Sequence, residues 1–144
     1  MDTSITNEEL DLASGISAFE AKHFKQALQL LSPLAEANDA EALYRCAIMH
    51  QNGLGTVVNA KEAVRMMRQA AEQNHTLAQH GLGFMYMEGE CVEQDGKEAV
   101  KWFEKSAKQG LAGSQTTLAM LYEEGRIVEK DIEKARYWYK QAGF

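Results

Sequence analysis

Three blocks of this chain share a single register with no insertion or deletion between them. Gly53, Gly89 and Gly125 set the interval, 89 − 53 = 36 and 125 − 89 = 36. Ala63, Ala99 and Ala135 keep it, as do Met66, Trp102 and Trp138, and Met49, Met85 and Leu121. A fixed period of this size marks stacked supersecondary units, each too small to bury its apolar face alone. Such a stack presents a long ridged surface, so binding of other proteins is the function to expect.

The 144 residues suit one domain, and a single solenoid over 1–144 is expected. A net charge of −6 disfavours nucleic acid and anionic membrane as partners, because phosphate pairing and counterion release need cations. The N-terminus, Met-Asp-Thr-Ser-Ile-Thr-Asn-Glu-Glu, has neither the basic nor the apolar region of a secretory signal. No run approaches the roughly 20 apolar residues of a membrane span. A cytoplasmic location is the expectation. Cys46 and Cys91 occupy non-equivalent positions in the register, so free, structurally incidental thiols are expected.

Each block reads as a helical hairpin. Ala78, Leu82, Met85 and Tyr86 recur at helical spacing and predict a first helix near 76–88. Ala99, Trp102, Phe103, Ser106 and Ala107 predict a second near 96–109, with Trp102, Phe103, Trp138 and Tyr139 as core between repeats. Gly83 is small where two helices cross, with Ala47 and Ala119 equivalent. Gly53, Gly89 and Gly125 are C-cap candidates, and Asn74 and Gly110 end the second helices. Asp95 with Glu98 and Asn59 with Glu62 read as capping boxes, while Asp131 faces Lys134 and leaves the last box incomplete. Upstream, Thr6 and Glu9 open a helix to about Ala21, and a second follows near 24–37. Pro33 inside it predicts a kink. The fold class is therefore all-α, a right-handed α-α superhelix of four antiparallel hairpins.

These residues resemble the Sel1-like repeat family, a 36-residue relative of the tetratricopeptide repeat. The middle unit carries the pattern as Ala78, Leu82, Gly83, Tyr86, Gly89, Val92, Asp95, Ala99, Trp102, Ala107 and Gly110. The third carries it as Leu118, Tyr122, Gly125, Val128, Asp131, Ala135, Trp138 and Ala142. The first departs from it with His50 for the tyrosine and Met66 for the tryptophan. Gly55 is kept there, whereas Cys91 and Ile127 stand at its equivalents, which puts a shared loop geometry in doubt. Residues 6–38 look like a tetratricopeptide hairpin, followed by repeats over 39–74, 75–110 and 111–144. The resemblance implies an adaptor or scaffold, often bacterial, in signalling, secretion, envelope assembly or toxin neutralisation. Cysteine-rich relatives are β-lactamase-like binders with repeated cysteine pairs, a pattern this chain does not show.

No catalytic, cofactor or metal motif is present, and no enzyme is expected. His75 and His80 are five apart, about 140° around a helix, and read as helix-end and surface histidines. Glu88, Glu90, Glu93, Glu123, Glu124 and Glu129 read as a solvated loop edge or as an acidic rim that steers a basic partner. In this architecture the first helices line the concave face. The groove positions are then Leu12, Ile16 and Phe19, Tyr44, Ile48 and Gln51, His80, Phe84 and Met87, and Thr116, Met120 and Glu123. Ile16, Ile48, Phe84 and Met120 make a continuous apolar lane for a protein or peptide. Self-association is the alternative, through an end carrying Tyr139 and Phe144 and giving a two-fold dimer. A small-molecule enzyme is a further alternative with no motif behind it.

Overall fold

The computed structural model describes residues 4–144, so the first three residues of the polar N-terminus lie outside the described residues. Eight helices follow in order, α1 (Asn7–Glu20), α2 (Phe24–Glu36), α3 (Ala40–Asn52), α4 (Ala60–Glu72), α5 (Thr76–Glu88), α6 (Gly96–Lys108), α7 (Ala112–Glu124) and α8 (Ile132–Gln141). No strand occurs among the described residues. The chain divides into two compact units, Met1–His75 and Thr76–Phe144, and the division falls where one repeat gives way to the next.

In the first unit each helix packs on its chain neighbour, α1 on α2, α2 on α3 and α3 on α4. Leu31, Leu43, Met49 and Met67 fill its core. Gly15 lets α1 settle on α2, since a Cβ there would lie 2.5 Å from Leu31 Cδ2. Helix α2 runs unbroken through Pro33 to Glu36. In the second unit α5 packs on α6, α6 on α7 and α7 on α8. Phe103, Leu118, Leu121, Tyr122 and Trp138 form its core, with Tyr139 half-buried against them. Trp102 is buried as well. The small residue at Gly83 answers to a side chain, because a Cβ there would lie 2.8 Å from two atoms of the Phe103 ring.

Among the described residues only Thr6 and Glu9 form a full capping box, with Glu9 N–H donating to Thr6 Oγ1 (3.1 Å) and Thr6 N–H to Glu9 Oε2 (2.9 Å). At Asn59, Asp95 and Asp131 the side chain caps its helix, but the reciprocal bond is replaced. The N–H of Asn59 donates to His50 O (2.8 Å), that of Asp95 to Tyr86 O (3.0 Å) and that of Asp131 to Tyr122 O (2.9 Å). Glu62, freed from the box, pairs with Arg65 at 2.8 Å. A lysine at position 134 therefore forfeits no cap bond. The first-helix glycines Gly53, Gly89 and Gly125 all have positive φ, as do Asn74 and Gly110. Gly55 (φ +73°) and Cys91 (φ +66°) share a left-handed turn, whereas Ile127 is not in that region, so the third loop departs from the first two.

Candidate partner-binding surface

Helix α5 buries Ala78, Gln79, Leu82, Gly83 and Met85. The 3.6-residue turn then places Leu77, Gly81, Phe84 and Glu88 within about 60° of one another on the opposite side. Leu77 is 45% exposed and Phe84 37%. On α7 the equivalent stripe is Gly113, Thr117, Met120 and Glu124, with Met120 46% exposed. Leu77, Phe84 and Met120 are thus large apolar side chains left on the surface of the second unit.

The other expected groove residues of this unit turn aside. His80 is half-buried, with its ring edge-on to Phe84 at 4.8 Å and to Phe103 at 5.5 Å. Met87 packs against the core, and Thr116 donates its hydroxyl to Ala112 O at 2.9 Å. Glu123 is exposed, with its carboxylate beside the Tyr139 phenol. Desolvation and then Glu123 and Glu124 hold that phenol above its usual range. Positions 80 and 87 lie about 70° and about 90° from the middle of the exposed stripe, whereas Leu77, seven residues before Phe84, falls within it.

In the first unit the stripe is charged. Arg45 Nε donates to Glu41 at 2.7 Å and its Nη2 to Glu20 at 3.3 Å, while the guanidinium covers the Phe19 ring at 4.9 Å. Phe19 meets Phe24 edge-on at 5.5 Å. Tyr44 stacks on His75 at 4.8 Å. Leu12 lines a separate cavity with Leu34, Asn38 and Asp39. Ile16, Ile48 and Gln51 are half-buried. The uniform apolar lane expected from sequence is therefore interrupted in this unit by an ion-pair network.

His75 does stand at a helix end, directly before α5, but both histidines are half-buried rather than free on the surface, because each has a partner one repeat away. His75 Nε2 lies 2.7 Å from Glu41 Oε2, and His80 Nδ1 2.6 Å from Ser114 Oγ. Burial lowers the His80 pKa. Ser114 in turn bonds Ser106, whose hydroxyl donates to Phe103 O at 3.1 Å. The Ser114–His80 distance is that of a nucleophile and its base, but Ser114 is 0% exposed. The chain of bonds ties α5, α6 and α7 together while withholding its hydroxyls from any substrate in solution. Cys46 and Cys91 are free, and burial pushes the Cys46 thiol up to about 11, which keeps it unreactive. Among the described residues no group of three His, Cys, Asp or Glu could hold a metal ion. No helix among them is long and apolar enough to cross a membrane.

Burial opposes ionisation of Glu41, yet hydrogen bonds and charge from His75 and Arg45 leave its carboxyl below the usual range. A depressed folded-state pKa contributes stability above the unfolded value and loses it as pH falls through the folded one. Glu41→Gln should therefore lower the melting temperature at neutral pH and bring little change near pH 3. Thermal melts of both chains across that range test the sign, and an equal loss at both ends would refute it.

Charge is divided between the two sets of helices. The first helices α1, α3, α5 and α7 carry eight Asp or Glu and one Arg, 1 − 8 = −7. The second helices α2, α4, α6 and α8 carry six Asp or Glu and eleven Lys or Arg, 11 − 6 = +5.

A sequence model of the Sel1 repeat matches residues 40–75, 76–111 and 112–143. A Sel1 repeat protein from Oxalobacter formigenes superposes with a TM-score of 0.84 at 31% identity over 92% of this chain and 53% of its own. The protein c5321, a protective antigen of uropathogenic Escherichia coli strains with an SLR fold, gives 0.87 at 33% identity over 94% of this chain and 30% of its own. This chain thus spans about half or less of those two proteins. MamA shares the fold, with a TM-score of 0.66 at 20% identity over 94% of this chain and 76% of its own. No curated protein gives a match. The all-helical expectation holds, and the fold is that of these helical-repeat solenoids.

Proposed function

The chain belongs to the Sel1 repeat family, and from that premise we propose that it is an adaptor that binds a protein or peptide through its first helices. Sel1 repeats are protein-interaction modules. The observation that carries the reading is the exposed set Leu77, Phe84 and Met120, held on a packed helical scaffold rather than on loops. Ile16 and Ile48 are the corresponding, half-buried positions of the first unit. Bacterial structural neighbours support a bacterial adaptor, and two free thiols suit a reducing compartment.

Phe84→Glu is the test. Phe84 rests edge-on against Phe103 at 5.2 Å, so its replacement should cost only about 1 kcal/mol while abolishing capture of the partner that the wild type retains. Affinity capture is read beside a thermal melt. An unchanged partner, or an unfolded variant, would sink the assignment.

Self-association is a second reading, favoured by the Tyr139–Phe144 ring pair at 5.6 Å and by Phe144 at 81% exposure. It predicts a dimer mass on sedimentation at micromolar concentration that falls to the monomer in Tyr139→Lys. A monomeric wild type excludes it.

A further inference from the structure

The carboxylates of the first helices are placed against the electrostatics of their own helices. A helix C-terminus carries partial negative charge and favours cations in its last turn. Helices α1, α5 and α7 nevertheless end on Glu20, Glu88 and Glu124, and none has a basic residue in its last turn. Of the second helices, α2 and α4 likewise end on glutamate, Glu36 and Glu72, without a basic last turn, whereas α6 and α8 in the second unit do the opposite, with Lys105 and Lys108 in one and Lys140 in the other. Helical stability therefore explains the lysines but not the glutamates.

No lysine or arginine lies on α5 or α7 to neutralise Glu88 or Glu124, and neither is ion-paired among the described residues. Arg45, the one cation of the first helices, is already held by Glu20 and Glu41. Each free carboxylate lies four residues, one helical turn, beyond an exposed apolar side chain, Glu88 beyond Phe84 and Glu124 beyond Met120. An apolar anchor with a carboxylate one turn away is complementary to an apolar side chain with a cation at similar spacing.

We propose that the occupant of the Leu77–Phe84–Met120 surface is a cationic amphipathic peptide segment whose lysines or arginines meet Glu88 and Glu124. The inference rests on the interaction reading of that surface and names its partner's chemistry. Two labelled probes of about 18 residues, five helical turns, test it, one built from Leu, Ala and Lys and the other from Leu, Ala and Glu. Fluorescence anisotropy should show saturable binding of the lysine probe and none of the glutamate probe. Raising NaCl from about 50 to about 300 mM should weaken the binding, as screened surface charges require. Glu88→Gln combined with Glu124→Gln should weaken it about fivefold, and this variant should melt no lower than wild type.

No binding of the lysine probe, or equal binding of the two probes, overturns the proposal. So does an affinity indifferent both to the double amide and to salt, the salt titration serving alone if the double amide does not fold. If Phe84→Ala with Met120→Ala still weakens binding in that case, the interaction surface stands and only its charge preference falls. If neither pair of changes weakens binding, the surface assignment falls as well. Sedimentation of the chain alone covers the remaining occupant. A dimer dissociated by Phe84→Ala with Met120→Ala would assign the surface to a second copy and overturn the proposal.

Discussion

Phe103→Ala is expected to cost the second unit about 3–5 kcal/mol, measured by denaturant unfolding. The side chain is 0% exposed and sits in the cluster with Leu118, Leu121, Tyr122 and Trp138. Its ring is also the bed on which α5 lies, with the Gly83 backbone above it and His80 and Phe84 edge-on at 5.5 and 5.2 Å. Helix α5 cannot sink into the vacated volume without breaking the His80–Ser114 bond, so the cavity stays largely open. Adding Gly83→Ala gives the sharper result. That change should destabilise the wild type, where the new methyl lies 2.8 Å from ring atoms, and stabilise the Phe103→Ala background, where it faces empty space. A loss below about 1 kcal/mol for Phe103→Ala would mean that the ring supports nothing.

Gly55→Ala should cost the first unit about 3 kcal/mol, for two reasons that add. The residue has φ +73°, a region that costs an L side chain energy. Its added Cβ would lie 2.6 Å from Phe24 C and 2.7 Å from Lys25 N, both backbone atoms at the start of α2 that cannot rotate away. Cys91 is the control, because it holds φ +66° in the equivalent turn without being glycine. Cys91→Gly should leave stability unchanged or raise it by about 1 kcal/mol. A Gly55→Ala chain that unfolds at the wild-type denaturant midpoint would show that the loop relaxes freely.

The local part of this architecture was legible in advance. Spacing and cap residues placed α5 at Thr76–Glu88 and found the side-chain caps at Asn59, Asp95 and Asp131, because both signals act within a few residues. The capping boxes at Asn59 and Asp95 were misread because the competing acceptor lies on the preceding helix, nine residues back. The partners of His75 and His80 were hidden for a similar reason, since each lies 34 residues away in sequence. The charged character of the first unit's stripe was not legible, because Arg45 finds one of its partners, Glu20, 25 residues back. Leu77 went unnoticed because one apolar residue in the first turn of a helix carries no periodic signal of its own. The division of charge appears only once alternate helices are grouped.

The bond from each cap N–H to a first-helix carbonyl sets a ruler. Its two ends are separated by 59 − 50 = 9, 95 − 86 = 9 and 131 − 122 = 9 residues. One residue added inside that span would shift the cap side chain, its N–H and the start of the next helix together relative to that carbonyl. A complete block of 36 residues brings its own ruler and disturbs none of the others. Among the three repeats that carry this bond, a library of hybrid arrays is therefore better spliced between repeats than within a loop.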